Sequence, residues 1–380
     1  MIVVLELNQT GKSHVPVNSA FLKVIEGFPG NKLCFFSERE HSRSVRQFPG
    51  NDVNVEYHPF TQIKDFRLFP VREIISFLKL IQVLFFVRMK GVKLLFITSI
   101  SPPSHFVLKL LFPLFKCRAV VTLHGELEFL RENKKGFWKC WGKILKASLC
   151  FGNSGDLKYL VLGEIIRNNL LQTVKLNPDS VLSIDHPFIY SDIKNKTLDE
   201  RHLRLGSVGV ASLHKKSYRI FQLAEDFKEE IAGGRIRFEI VGRVLPNMHS
   251  HVNEYVDYSS ENDLIDRDSF EDRAANLDYL LFFYDNDFYR LCSSGAFFDA
   301  VNFEKPVLAI KNDFFCYYFN RLGNIGYLFD SETELSLKVK ELLNDFPVEE
   351  YNRQAGNLKK AKEILSLSSI SVSLYNQLNS

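Results

Sequence analysis

Residues 284–308 decide the fold and read Tyr-Asp-Asn-Asp-Phe-Tyr-Arg-Leu-Cys-Ser-Ser-Gly-Ala-Phe-Phe-Asp-Ala-Val-Asn-Phe-Glu-Lys-Pro-Val-Leu. The pattern predicts a buried strand, a small-residue turn, a short helix and a second strand. Ser293, Ser294 and Gly295 would open that helix, offering backbone N–H groups and the positive dipole end to an anion. Asp299 falls one turn deeper on the same face. The stretch therefore predicts an anion cradle beside a hydroxyl acceptor, as a ribose diphosphate requires; the alternative is a capped helix with one exposed acid.

Length and composition bound the class of protein. The 380 residues suit two domains, and the hydrophobic share of 46% and charged share of 24% are those of a globular chain. The six cysteines have no metal-ligand spacing, so we interpret them as reduced thiols of a cytosolic protein. The first eight residues predict a strand rather than a signal peptide, because they lack a basic leader and a long apolar core.

Charge is distributed unevenly along the chain. The net charge is +3, but residues 1–190 hold 25 Lys/Arg against 15 Asp/Glu, so the remaining half is acidic. A basic half joined to an acidic half favours one lobe that faces an anionic surface, although chance asymmetry is the alternative. No pattern points to a nucleic-acid partner.

The first half alternates strands and helices, which predicts a parallel, doubly wound α/β sheet. A polar stretch at 187–203 predicts a linker. The predicted strands are 2–7, 32–36, 53–57, 94–99, 118–123, 148–152 and 181–184, and the predicted helices are 16–27, 71–90, 104–115, 137–146 and 156–170.

The second half restarts the same rhythm, so the chain predicts two Rossmann-like domains facing a cleft at their strand C-terminal ends. We place an N-terminal domain at 1–188, a C-terminal domain at 202–363 and a terminal helix at 364–380. The predicted strands are 204–210, 236–241, 254–258, 278–283 and 306–310; the helices are 217–230, 295–303, 332–345 and two pieces within 348–380.

Two stretches of the first half bear on membranes. The apolar run Ile74–Val87 is interrupted by Lys79 and is shorter than the roughly 20 residues that a bilayer requires, so we predict a buried or interfacial helix. The stretch Arg131–Lys146 alternates lysines with aromatic residues at helical spacing. That pattern suits either the headgroup zone of an anionic membrane or an ordinary amphipathic surface helix.

Two loops of the first half carry candidate catalytic residues. Gly11-Lys12-Ser13 lacks the earlier glycine of a P-loop, because Glu6 occupies that position, which leaves His14 in either a site-lining loop or a plain connector. His124 and Glu126 end a predicted strand, where a histidine can bind a sugar hydroxyl or carry a proton. A histidine satisfied by neighbouring backbone is the alternative, and His186 is interpreted as part of a hinge turn.

Strand-end glycines mark the second half. Gly209, with Lys215 six residues later, and Gly242, with Arg243 beside it, would let the backbone and a cation approach a diphosphate. Solvated lysine-rich loops look the same in sequence. Asp285-x-Asp287 follows a strand and offers two carboxylates, but we interpret it as a solvated loop and predict no metal.

Together these pieces resemble two-domain glycosyltransferases of the GT-B fold, the large group that includes glycogen synthase, sucrose synthases and many bacterial polysaccharide enzymes. The resemblance covers most of the chain and is firmest over 204–330. It also implies that the terminal helix at 364–380 crosses back to the N-terminal domain. The matching elements are Val208-Gly209 with Lys215, Ile240-Val241-Gly242, Asp299-Ala300 with Lys305-Pro306-Val307, and Leu123-His124-Gly125 as the donor-side histidine.

The chain departs from that pattern in its Glu-x7-Glu motif. The first Glu falls at Leu291, the second has become Asp299, and the usual Arg after the first glycine is Val210. The diphosphate and ribose elements survive, whereas the element tied to retention of configuration does not.

The resemblance implies a glycosyltransferase that moves a sugar from a nucleotide-sugar donor to a lipid-linked glycan in bacterial surface polysaccharide or lipopolysaccharide synthesis. It would lie in the cytoplasm or on the inner face of the cytoplasmic membrane, and it would need no cofactor. A sugar-nucleotide epimerase and a non-catalytic partner subunit are the alternatives. The implied catalytic residues are His124, Glu126 and His14; the implied donor-binding residues are Gly209, Lys215, Gly242, Arg243, Tyr284, Ser293, Ser294, Gly295 and Asp299.

Overall fold

The computed structural model describes residues 1–63, 68–115, 117–131, 135–152, 155–192, 202–260, 265–287 and 289–379. The described chain divides into two units. Unit 1 comprises Met1–Ile189, Leu291–Ser293 and the residues from Leu365 onward; unit 2 comprises Tyr190–Arg290 and Ser294–Ile364. Residues 193–201 of the predicted linker lie outside the described residues.

Unit 1 is built on a sheet of seven parallel strands, which confirms the predicted sheet. The first strand, Ile2–Glu6, is buried over its whole length, because side chains on both of its faces are covered, as parallel sheets require. The strands are β1 (Ile2–Glu6), β2 (Leu33–Glu38), β3 (Val55–Phe60), β4 (Leu94–Ser99), β5 (Arg118–Leu123), β6 (Leu157–Val161) and β7 (Val181–Ser183), in the spatial order β3-β2-β1-β4-β5-β6-β7.

Helices cover both faces of this sheet. They are α1 (Val15–Glu26), α2 (Arg39–Arg46), α3 (Phe69–Met89), α4 (Pro102–Leu111), α5 (Gly136–Cys150), α6 (Glu164–Thr173) and α14 (Leu367–Asn379). The last of them packs against α1, where the hydroxyl of Ser371 donates to the carbonyl of Val24 at 2.7 Å. Its residues Ile370, Leu374 and Leu378 share an apolar cluster with β1 and α1.

One pair of predicted elements in unit 1 is wrong. The stretch 148–152, predicted as a strand, begins as the last turn of α5, and the predicted helix at 156–170 begins instead with β6. Leu145 and Leu149 are buried on one face of α5, so the helical period continues past the predicted end. The apolar residues of β6 pair with both β5 and β7, which favours the extended form.

Unit 2 is built on six parallel strands in the order β10-β9-β8-β11-β12-β13, which is a parallel sheet of the predicted kind with one strand more than the five predicted. The strands are β8 (Leu203–Val208), β9 (Ile236–Arg243), β10 (Val256–Ser260), β11 (Tyr279–Phe282), β12 (Val307–Ile310) and β13 (Gly326–Phe329). The helices are α7 (Tyr218–Asp226), α8 (Lys228–Ala232), α9 (Arg267–Ala275), α10 (Gly295–Asn302), α11 (Asp313–Leu322), α12 (Glu332–Asn344) and α13 (Val348–Ile364).

Three helices and one strand are present that the sequence did not predict: α2, α9, α11 and β13. Two of these helices are polar and show no apolar stripe, but each has a capping side chain at its start. Glu38 accepts from two backbone N–H groups at the start of α2, and Asp266 accepts from the N–H of Ser269 at the start of α9. Capping residues were therefore the signal available in the sequence.

Among the residues that the structure describes, no helix has the length and apolar character needed to cross a membrane.

Candidate functional site

Gly209 and Gly242 of unit 2 are in contact at the C-terminal edge of the sheet. Gly209 has a φ of +83° and Gly242 a φ of +151°, both unfavourable for other residues. A Cβ atom on Gly242 would lie 2.0 Å from the carbonyl oxygen of Gly209, so only glycine fits there. The sequence predicted close backbone approach to a ligand at these glycines; the contact that the structure gives Gly242 is with the neighbouring strand end.

Lys215 lies over Gly209. Its ammonium nitrogen is 4.0 Å from the point where a Cβ on Gly209 would stand, and its backbone N–H donates to the hydroxyl of Ser212. Lys215, Tyr284 and Ala296 line one small cavity, so the structure brings this lysine to the start of α10. Arg243 ends β9 half-buried, with its Nε atom buried and lacking a hydrogen-bond partner among the described residues.

The turn that opens α10 has a capping side chain and also leaves backbone N–H groups open to an anion. The hydroxyl of Ser294 accepts from the N–H of Phe297 and contacts the hydroxyl of buried Tyr284, so this side chain is occupied. Gly295 is exposed, and the N–H groups of Gly295 and Ala296 have no acceptor within the helix. Within the described chain, the Ser293 hydroxyl is buried and lacks a partner. An anion would therefore meet backbone groups rather than the Ser294 hydroxyl.

Asp299 is half-buried on α10, not an exposed acid. Burial raises the pKa of its carboxyl to about 7, against the opposing charges of Arg267 and Lys215. The structure thus places an acid that titrates near neutral pH within electrostatic range of two cations.

The Asp285-x-Asp287 loop contains one ion-paired acid, Asp285, and one exposed acid, Asp287. The carboxylate of Asp285 forms a salt bridge with Lys216 and accepts the backbone N–H of Asp287 at 2.9 Å.

Leu291, where the resemblance places the first Glu, belongs to the apolar core of unit 1 and is only 1% exposed. Its N–H donates to Glu128 at 2.6 Å. The position where the resemblance places a catalytic Glu is therefore a core position occupied by an apolar side chain, which supplies no carboxylate.

Three histidines meet at the C-terminal edge of the unit 1 sheet. The ring of His124 lies 5.7 Å from that of His14 and 5.8 Å from that of His186. Burial lowers the pKa of His124 well below its ordinary value and lowers that of His186 to about 4, so both rings are neutral at pH 7. The Nδ1 atom of His124 is buried and has no partner within the described chain. His186, interpreted as part of a hinge turn, is instead a third member of this group.

Glu126 stands beside the histidines. Its carboxylate accepts the N–H of His124 at 3.0 Å. Burial raises the pKa of Glu126 to about 7; backbone N–H groups oppose that shift and the charge of Glu6 adds to it. An acid titrating near neutral pH is suited to general acid–base catalysis.

Glu126 lies on the wall of a cavity of about 690 Å³ in unit 1. One wall is polar and includes Asn8, Thr10 and Ser13. The other is aromatic, with the rings of Phe129 and Trp138 stacked at 4.8 Å. The remaining lining aromatic residues are Phe69, Phe137 and Trp141. Such a cavity offers both hydrogen bonds and apolar surface to one ligand.

Glu6 organises the polar wall, a role that the sequence analysis missed. It is buried and accepts from the backbone N–H groups of Asn8 and Gln9 and from the amide of Asn18. An acid within an otherwise apolar strand was the available signal, because a buried carboxylate needs several donors.

The outer surface of unit 1 combines apolar and basic side chains. On α3, one face is buried and the other exposes Val71, Ile74 and Leu78. On α5, Phe137 and Trp138 are at least half exposed although they also line the cavity. The exposed lysines of α5 and its start are Lys135, Lys139, Lys143 and Lys146; Lys134 lies outside the described residues.

Comparison with known proteins gives a fold. No family model and no curated protein matches the chain. Sucrose-phosphate synthase from Thermosynechococcus elongatus is similar with a TM-score of 0.64 and 12% identity, covering 100% of this chain and 99% of that one. WaaG, a glycosyltransferase involved in lipopolysaccharide biosynthesis, has a TM-score of 0.61 and 13% identity, covering 99% of both chains.

An epimerase shares the architecture. The UDP-GlcNAc 2-epimerase from Neisseria meningitidis, solved with bound UDP-GlcNAc, has a TM-score of 0.55 and 13% identity, covering 100% of both chains. The chain therefore has the GT-B fold, which confirms the predicted pair of Rossmann-like units.

Proposed function

We propose that this protein is a glycosyltransferase that moves a sugar from a nucleotide-sugar donor to a glycan acceptor in bacterial surface polysaccharide or lipopolysaccharide synthesis. The observation that carries the proposal is Glu126, a carboxyl with a pKa of about 7 on the wall of a 690 Å³ cavity. The structural similarity to WaaG, from lipopolysaccharide biosynthesis, supports this class of enzyme.

Unit 2 would bind the donor. The first turn of α10 and the ammonium of Lys215 would neutralise the diphosphate, which needs positive charge as it leaves. Asp299 would bind the ribose hydroxyls, and the bare backbone at Gly209 would let the nucleotide approach the sheet edge. Arg243 would add a second cation there. The epimerase of the same fold, with UDP-GlcNAc bound, supports a nucleotide-sugar as the ligand.

Unit 1 would bind the acceptor. The deprotonated carboxylate of Glu126 would take the proton from an acceptor hydroxyl, whose oxygen then bonds to the anomeric carbon while the bond to the diphosphate oxygen breaks. The buried Nδ1 of neutral His124 would hydrogen-bond a sugar hydroxyl, and His14 would stand beside it. The chemistry then needs no metal, because cations and helix N–H groups supply the positive charge.

The acceptor would be lipid-linked, with the protein peripheral on the inner face of the cytoplasmic membrane. The exposed apolar residues on α3 would insert into the membrane surface, and the lysines of α5 would attract its anionic headgroups.

Flotation with anionic liposomes tests this part. We expect binding at low salt that weakens with salt and is lost when Lys139, Lys143 and Lys146 become Glu. Absence of binding at low salt would contradict it, and neutral liposomes are the control.

The enzymatic proposal is tested by incubating the purified protein with a panel of sugar nucleotides, with and without lipid extract, and measuring release of nucleotide diphosphate. We expect release that requires both one donor and the extract. An epimerised sugar nucleotide formed without acceptor would assign the protein to the epimerases instead. Tight donor binding with no product under any condition would favour a non-catalytic partner subunit.

A further inference from the structure

A cysteine, a glutamate and a histidine converge on the outer strands of the unit 1 sheet. In the parallel pair β2–β3, Cys34 is in register with Glu56, and Phe36 with His58. Registered neighbours in a sheet project to the same face, and so do residues two apart on one strand. The sulfur, a carboxylate oxygen and an imidazole nitrogen consequently lie within 4.8 Å of one another.

The imidazole is held in place by its neighbours. The ring of His58 stacks on Phe36 with centroids 4.4 Å apart and an 8° angle, and it also contacts Phe86 at 5.6 Å. Its Nε2 atom lies 3.0 Å from Oε1 of Glu56. A ligand on a strand, braced by stacking, keeps its orientation better than one on a loop.

From this geometry we propose that Cys34, Glu56 and His58 form a binding site for a divalent ion of borderline softness such as Zn²⁺. Thiolate, imidazole and carboxylate are the ligands that zinc takes, and three protein ligands leave a fourth position for water. Oxygen-seeking ions such as Mg²⁺ are disfavoured by the sulfur and the nitrogen. Binding replaces the thiol proton of Cys34, which is released to solvent, so that the ligand set becomes thiolate, carboxylate and neutral imidazole.

The competing contact is a surface ion pair. Lys32 lies 2.6 Å from Oε2 of Glu56, with both side chains about half exposed or more. Water and salt screen such a pair. Oε1, which faces His58, remains directed at the proposed ion. None of the three ligands lines the cavity that holds Glu126, so the metal site stands independently of the proposed enzymatic function.

Titration of the metal-free protein with Co²⁺ tests the site, because cobalt bound to a thiolate gives an intense near-ultraviolet charge-transfer band. We expect a saturable band that Zn²⁺ displaces and that is lost in Cys34→Ser. No band in the wild-type protein, or a band that persists in Cys34→Ser, would overturn the proposal.

Matched variants make the result independent of folding defects. Cys117→Ser removes another buried thiol of unit 1 and should keep the band. Glu56→Gln lies on an exposed edge position, so the fold should survive while affinity for Co²⁺ falls by at least about tenfold, as loss of one ligand or its support typically gives. Lys32→Met removes the competitor for Glu56 and should strengthen binding. Unchanged affinity in both Glu56→Gln and Lys32→Met would show that Glu56 is not a ligand and would contradict the three-residue site.

Discussion

Burial raises the pKa of both Glu126 of unit 1 and Asp299 of unit 2 to about 7, but the two carboxyls have different charged and polar neighbours. Each carboxyl is desolvated. Around Glu126, backbone N–H groups partly compensate and a second carboxylate, Glu6, opposes ionisation. Around Asp299, the compensating groups are the cations Arg267 and Lys215. The neighbours of Glu126 are histidines and another acid, which suits proton transfer. The neighbours of Asp299 are cations, which suit the binding of an anionic ligand close by.

The largest effects are expected when each acid is neutralised in turn. Glu126→Gln should lower turnover by about 10²–10⁴-fold, roughly 3–5 kcal/mol of transition-state stabilisation, because it removes the base. Its affinity for the nucleotide diphosphate should stay unchanged in calorimetric titration. Asp299→Ala should do the reverse and weaken nucleotide binding. If Asp299→Ala left nucleotide affinity unchanged, the ribose role would be withdrawn. Glu73→Gln, on the wall of the same cavity, is the control for general disruption.

The next test asks whether the unit 2 edge depends on its glycine contact. Gly242→Ala places a methyl group 2.0 Å from the Gly209 carbonyl, so the strand ends must separate. We expect the free energy of unfolding to fall by about 3 kcal/mol in urea denaturation, together with loss of nucleotide binding. Gly234→Ala also replaces a glycine at a positive φ, +70°, but no neighbour lies within 4 Å of the added methyl group, so it should cost only about 1 kcal/mol. Equal losses in the two variants would contradict the steric argument.

A smaller effect separates the two neighbouring lysines. Lys215→Ala should weaken affinity for a nucleoside diphosphate by about tenfold, or roughly 1.4 kcal/mol, because it removes one positive charge that would lie beside the anion. Lys216→Ala, the matched control, breaks the bridge to Asp285 and should leave that affinity nearly unchanged. The comparison would fail if Lys216→Ala weakened binding as much as Lys215→Ala does.

The last prediction concerns the pH dependence of stability. Both acids hold a proton more tightly in the folded state than at their ordinary pKa values of 4.5 and 3.8. The folded state therefore binds more protons between about pH 4 and pH 7, and the free energy of unfolding falls as pH rises through that window. Each group contributes a slope of at most about 1.4 kcal/mol per pH unit. Glu126→Gln and Asp299→Asn should each flatten the slope in urea denaturation.

The doubly wound sheets could be predicted because most strands and helices carry a clear apolar period. The exception at α5 and β6 arose because Leu149 and Cys150 read equally well as strand or buried helix, a choice made by tertiary packing. The polar helices α2 and α9 were not predicted because they are stabilised by capping side chains and packing rather than by an apolar stripe.

The candidate site was predictable where a chemical side chain follows a strand. His124 and Glu126 satisfy that rule, and the structure places His14 beside them. His186 and Glu6 were missed because their roles depend on which strand ends meet, and that is set by the order of strands in the sheet. The aromatic residues of α5 were interpreted only as surface residues, whereas Trp138 and Trp141 also line the cavity.

The docking of α14 on unit 1 has a consequence for synthesis of the protein. Ile370, Leu374 and Leu378 complete an apolar cluster that otherwise consists of residues from the first half of the chain. A ribosome must therefore translate all of unit 2 before this part of the core of unit 1 can close. Until then, Phe28 and its apolar neighbours in the first half of the chain lack the cover of α14, while residues 190–364 can already fold. During that interval, unit 1 exposes apolar surface that α14 covers in the finished protein.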